Sequence, residues 1–249
     1  MAAGTGLSRW RGVLNRHRRL AALAVLVGVL IIANVLHKFG PAGTGLVLGP
    51  VVAAGLLVLA RRWGLSWHDL GLARRTWAKG IGYAAIAVAA VVAAYAIGAM
   101  LPLTRAAFLD ARYQMPTGPA LLTALVVIPL GTVLLEEIAF RGVLLGFITR
   151  HRGARWGLGF SSALFGLWHI LPSLNLGGAN PAIAMLAGTG MAARIGVVAA
   201  VVAFTALAGW LLGELRRRSG SLFAAAGLHW AVNGVGVLVA MVIYTAGVH

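Results

Sequence analysis

The chain has 249 residues, of which 60% are hydrophobic and 10% charged, with a mean hydropathy of +0.91 and a formal net charge of +16. These values lie outside the range of soluble domains and argue for a bilayer. A nucleic-acid partner is excluded because Lys and Arg fall between long apolar runs rather than on a polar face, and the absence of cysteine excludes disulfides, thiolate metal sites and a cysteine nucleophile.

A basic N-terminal stretch precedes the first apolar run. It has the outline of a signal peptide but no small-x-small cleavage site follows, so an uncleaved anchor is expected. Seven stretches are apolar enough to cross a bilayer as helices, each near the ~20 residues that a span requires. They run over Leu20–Leu36, Thr44–Ala60, Ile81–Leu101, Ala120–Phe147, Gly157–Leu171, Ile195–Leu212 and Leu222–Ile243. The fourth is overlong and the fifth short. The segment from Asn175 to Met191, rich in Gly, Ala and Pro, reads as an outer loop or a re-entrant piece. No repeat at fixed spacing is visible. The expected fold is all-α, a polytopic transmembrane bundle of about seven spans, with residues 1–115 supplying a basic segment and three helices and residues 116–249 a catalytic core.

The basic residues alternate from loop to loop. Arg9, Arg11, Arg16, Arg18 and Arg19 precede the first span, and Arg61, Arg62, Arg74, Arg75 and Lys79 follow the second. Arg150, Arg152 and Arg155 follow the fourth, and Arg216, Arg217 and Arg218 the sixth, which puts 16 of the 21 cations on one side. The opposite loops hold Lys38, Arg105, Arg112 and Arg194, and Arg141 lies within the fourth span. Because cytoplasmic loops carry the excess of Lys and Arg, the N-terminus is expected in the cytoplasm and the C-terminus outside.

Five acidic residues occur in the chain, and Glu136 and Glu137 lie together inside a span. A charge at the centre of a transmembrane helix costs about 2.5–3.5 kcal/mol on insertion scales, so the pair requires partners or a wet cavity. Residues four apart share a helix face, so Glu137 is set to pair with Arg141 as a structural ion pair. Glu136 points about 100° away, towards a polar cavity where it could act as a general base. His169 follows Phe165 by four residues, and His229 precedes Asn233 by four. At about 1.5 Å per residue, Glu137, His169 and Asn233 each lie roughly 18–21 Å from the basic end of their own span, a common depth. Trp168 and Trp230, each beside a histidine, are candidate cavity walls.

Other intramembrane hydrolase chemistries fail on the residues. No His-Glu pair exists for an H-E-x-x-H zinc site. The two aspartates, Asp69 and Asp110, fall in loops, not in the membrane where an aspartyl dyad needs them. Ser219 and Ser221 open a span that also holds His229, but the surrounding R-S-G-S-L lacks the G-x-S-G pattern of rhomboid proteases.

Three motifs remain: E-E-x-x-x-R at Glu136, Glu137 and Arg141, F-x-x-x-H at Phe165 and His169, and H-x-x-x-N at His229 and Asn233. In this order, over roughly Leu121–Val235, they resemble the CPBP family, which groups CAAX prenyl endopeptidases with bacterial bacteriocin-processing and immunity proteins. The resemblance implies cleavage of a membrane-associated or prenylated protein or peptide. Glu136 and His169 would activate water, while His229 and Asn233 would stabilise the oxyanion. The favoured mechanism uses no cofactor, and a zinc ion on Glu136, His169 and His229 is the alternative, since the family is often classed with metalloproteases. The expected partners are a membrane-embedded substrate and the bilayer, with no nucleic acid, and the expected location is the bacterial cell membrane. Two other functional readings stay open: a proton-coupled transporter using the same groups as a relay, and a catalytically silent immunity or scaffold protein.

Overall fold

The computed structural model describes residues 4–41, 43–174, 176–188 and 190–247. The side chains of Arg9, Arg11 and Arg16, together with Asn175, lie outside the described part. Seven principal helices follow one another: α1 (Gly4–Phe39), α2 (Thr44–Arg62), α3 (Trp77–Met100), α4 (Thr117–Arg152), α5 (Ala154–Trp168), α6 (Met191–Ser219) and α7 (Leu222–Thr245). No strand occurs among the described residues. All except α5 are long and apolar enough to cross a membrane. Their outward faces carry exposed apolar side chains such as Ile86, Ile97, Phe204 and Leu207, as contact with acyl chains demands.

The expected fifth span, Gly157–Leu171, is as short as anticipated but lies three residues earlier, as α5, which stops at Trp168 after fifteen residues, about 22 Å. Pro172 explains the stop. Proline has no N–H to give to the carbonyl four residues back, and its ring crowds that carbonyl. Here the carbonyl is that of Trp168, and it accepts instead from Asn34 Nδ2 of α1 at 2.8 Å. The chain turns at His169 and resumes as one short helical turn, Ile170–Ser173. The Gly- and Ala-rich segment beyond forms two more short helices, Leu176–Ala179 and Pro181–Ala187. Asn180 caps the second by accepting from the N–H groups of Ala182 and Ile183, and donates to Ala107 O at 3.1 Å.

Small residues bring neighbouring helices close, the usual device where lipid offers no hydrophobic drive for association. Gly80 of α3 lies against Ser221, and Gly227 of α7 against Ala84. Gly166 of α5 faces Val202 O of α6, where a Cβ would come within 2.6 Å. Gly209 of α6 returns the contact against Phe165.

Both α4 and α7 contain π-helical turns, in α4 over Thr123–Val127, Pro129–Val133 and Glu137–Leu144 and in α7 over Ala231–Val235. A widened turn disturbs the regular carbonyl ladder and needs outside donors. Three come from other helices: Trp230 Nε1 to Ala124 O at 2.8 Å, Ser161 Oγ to Phe140 O at 2.8 Å, and Tyr95 Oη to Val232 O at 3.0 Å. Three of these four turns thus take a hydrogen bond from a neighbouring helix, as buried backbone in a membrane protein requires.

The arginines gather at one end of the bundle around the loop 63–73. Arg61 donates to Leu65 O, Arg150 to Gly64 O, and Arg216 to His68 O and Asp69 O. Lys79 reaches Arg218 O, and the N–H of Leu222 bonds Gly71 O. The loops that sequence placed on one side of the membrane therefore meet physically. Asp69 is the anion among them, 3.0 Å from Arg150. Burial pushes its carboxyl up, but hydrogen bonds from Ser66 and the charge of Arg150 outweigh this and hold it below its usual value.

Candidate active site

The central stretch of α4 from Leu135 to Ile148 is buried throughout. Arg141 and Glu137, one turn apart, are 0% and 1% exposed on their side chains and joined at 3.0 Å through Nη1 and Oε1. Burying such a pair is tolerable only with further partners. Arg141 finds one in the ring of Phe165, whose centroid lies 3.8 Å beneath its Cζ, a cation–π contact across helices. Glu137 finds another in His229, whose Nδ1 lies 2.8 Å from the same Oε1. A carboxylate accepts, so Nδ1 carries the proton that it donates.

That leaves the other edge of the His229 ring facing Glu136, with Nε2 3.6 Å from Oε2. Glu136 Oε1 accepts from Trp168 Nε1 at 2.9 Å. Its Oε2 is buried and makes no hydrogen bond among the described residues. Glu136 is thus held on one oxygen by an indole and approached on the other by an imidazole. His169, at the bend after α5, donates Nδ1–H to Phe165 O at 2.8 Å, since a carbonyl can only accept. Its Nε2 is thereby the nitrogen with the free lone pair.

Phe165 explains why a phenylalanine precedes the histidine by one turn. Its carbonyl fixes the tautomer of His169, its face carries Arg141, and its ring meets Phe140 at 5.1 Å, His169 at 4.6 Å and His229 at 5.8 Å, all edge-on.

Glu136, His169 and Asn233 line one cavity of about 400 Å³. His229 is absent from that wall, being turned back to the two glutamates. Trp168 lines the cavity, whereas Trp230 is spent on Ala124 O. Asn34, His37 and Lys38 of α1 also line it, with Arg112 and Tyr113 from the segment before α4. Of these, Asn34 was open to reading: it is the one polar side chain in the apolar run Leu20–Leu36, and an isolated polar group inside a span calls for a reason. The bond from Trp168 to Glu136 had no sequence signal, because it joins residues 32 apart through a bend. Arg112 is paired with Asp110 at 2.8 Å. Burial pushes the Asp110 carboxyl up, yet the hydrogen bonds and charge of Arg112 bring it below its ordinary value.

Among the described residues no three His, Asp or Glu side chains converge closely enough to hold a metal ion. Glu136, His169 and His229, the zinc set left open by the sequence, do not form such a group. Both histidines donate Nδ1–H, His229 to Glu137 and His169 to Phe165 O, which leaves Nε2 of each ring with the lone pair.

Fold and site together define a polytopic integral membrane protein with a carboxylate, two imidazoles and an amide gathered inside the bundle. Residues 118–235 match the family model described as type II CAAX prenyl endopeptidase Rce1-like, and this segment contains all three motifs. The match supports a protease of the CAAX type. No curated protein and no solved structure matches the chain.

Proposed function

We propose that the protein is an intramembrane endopeptidase that hydrolyses a peptide bond of a membrane-associated substrate with water activated by Glu136 and His169. The observation that carries this reading is the shared cavity, whose wall brings together a buried carboxylate, an imidazole with a free Nε2 and a side-chain amide. Water gives a proton to Glu136, assisted by His169 Nε2, and its oxygen attacks the scissile carbonyl carbon. The carbonyl oxygen takes up the electron pair as an oxyanion, which Asn233 Nδ2 stabilises by donation in a water-poor site. Collapse breaks the C–N bond, and the proton held by Glu136 passes to the departing amine. His229 acts on Glu136 from behind, positioning the carboxylate and exchanging protons with it across the 3.6 Å gap. Glu137 in turn fixes His229. Every step is supplied by side chains of the chain itself, and Asn, a poor zinc ligand, has a natural place in this scheme.

The test is hydrolysis of membrane-embedded peptides by protein reconstituted in liposomes, run in ¹⁸O-labelled water. One labelled oxygen is expected in each new C-terminal carboxylate, with turnover insensitive to chelators. Absence of product from any peptide, with proton-coupled solute uptake instead, would favour the transporter reading. Full inhibition by a chelator, reversed by stoichiometric zinc, would overturn the metal-free scheme.

A further inference from the structure

Two facts that were separate in the sequence meet in the structure. The first is the gathering of Arg61, Arg150 and Arg216 around the loop 63–73, with Lys79 bonded to Arg218 O at the same end, which defines one end of the bundle as the basic end. The loops at this end, with the N-terminal stretch, hold 16 of the 21 cations, the pattern that marks a cytoplasmic face.

The second is the composition of the cavity. Its α1 residues, His37 and Lys38, sit at the end of α1 remote from the basic N-terminal stretch, next to Phe39 where the helix ends. Arg112 and Tyr113 belong to the connection between α3 and α4, and Ser173 and Leu176 to the connection between α5 and α6. All three connections lie on the side opposite the arginine-rich loops. From α4 the cavity takes Ile128, Gly131, Thr132, Leu135 and Glu136, and none of the buried residues from Glu137 to Ile148 that lead to Arg150.

Depth agrees. Fourteen residues separate Glu136 from Arg150, and fourteen separate His169 from Arg155, each about 21 Å of helix out of a hydrocarbon core of about 30 Å. The site is nearer the face that carries few cations.

We infer that the cavity opens to the extracytoplasmic face, so that the substrate of the proposed protease is a peptide segment presented from outside the cytoplasmic membrane surface. This rests on the reading of the site as a protease for its substrate class, but not for the direction of opening. A lipidated C-terminus anchored on the cytoplasmic leaflet would face the arginine-rich end and be separated from Glu136 by the buried half of α4. An exported peptide, or the outer juxtamembrane segment of a membrane protein, would enter directly past His37, Lys38 and Tyr113.

The cysteine-free chain gives a clean background for the test. Single variants His37→Cys at the mouth, Thr132→Cys in the cavity wall and Arg152→Cys at the basic end are expressed in full-length protein and treated with a membrane-impermeant maleimide. His37→Cys and Thr132→Cys are expected to label in intact cells to an extent that permeabilisation does not raise, and Arg152→Cys only after permeabilisation. Labelling of Arg152→Cys in intact cells overturns the orientation. Labelling of Thr132→Cys only from inside-out vesicles, or from neither side, overturns the opening. These accessibilities do not require turnover, so their failure would leave the proteolytic reading untouched, and an inactive Glu136→Gln variant would leave them unchanged.

Discussion

The Nδ1 atom of His229 lies 2.8 Å from Oε1 of Glu137, a residue 92 positions earlier in the chain. The same oxygen accepts from Arg141, so one carboxylate serves as counter-ion for a guanidinium and as orienting group for an imidazole. Glu137 is therefore more than half of a structural ion pair. Its neighbour Glu136 faces the cavity, and His229 bridges the two.

Removing Glu137 separates its two roles. Glu137→Ala leaves Arg141 buried without an anion and is expected to destabilise the protein by about 3–5 kcal/mol. Glu137→Ala combined with Arg141→Met removes the unpaired charge and is expected to recover most of that loss while leaving cleavage impaired, because His229 still lacks its acceptor. Equilibrium unfolding in detergent beside a cleavage assay checks both halves. A double variant as active as the wild type would contradict the orienting role.

Trp168→Phe keeps the aromatic packing against Phe140, whose ring centre lies 5.7 Å away, and deletes the one N–H that holds Glu136 Oε1. A hydrogen bond to a charged group is worth about 1.5–3 kcal/mol, so cleavage is expected to fall roughly 10- to 100-fold with little change in stability. Steady-state kinetics and thermal unfolding of the same preparation distinguish this from misfolding.

Asn34→Leu leaves the Trp168 carbonyl unpaired at the bend and is expected to cost about 1 kcal/mol of stability. The cost should shrink in a Pro172→Ala background, since residue 172 then has an N–H to offer that carbonyl. A double-mutant cycle on unfolding free energies reads the coupling directly, and equal costs in the two backgrounds would refute the link between Asn34 and the proline.

The basic end carries a small acid-dependent stability. The pKa of Asp69 is lower in the folded protein than in the unfolded chain, so its contribution is present above the unfolded value of about 3.9 and is lost as pH falls through the folded one. Asp69 is partly exposed and its partner Arg150 exposed, so the ion pair is screened and the contribution is at most about 1 kcal/mol. Thermal unfolding below about pH 4 is expected to drop more steeply for the wild type than for Asp69→Asn.

Periodicity and charge made much of the bundle legible, because a span needs a run of apolar residues that nothing else in a chain imitates. The fifth helix has the expected length but was placed three residues late, since its apolar run continues through Leu171 whereas the backbone is broken by Pro172 and rescued from α1. The pairing of Glu137 with Arg141 follows from helical spacing alone. The division of labour between the histidines does not, because it depends on which ring edge each helix presents. Spacing grouped His229 with Asn233, and packing turned His229 towards the glutamates while Asn233 reached the cavity. The contribution of α1 to the cavity is likewise a matter of long-range packing, for which Asn34 was the single written clue.

The most direct measurement is cleavage of a membrane-embedded peptide by reconstituted wild-type protein and by Glu136→Gln, with unfolding followed in parallel. A positioned general base contributes about 10²- to 10⁴-fold, so the variant is expected to lose at least about 100-fold in turnover while keeping its fold. Unchanged cleavage by a folded Glu136→Gln protein would contradict the central claim.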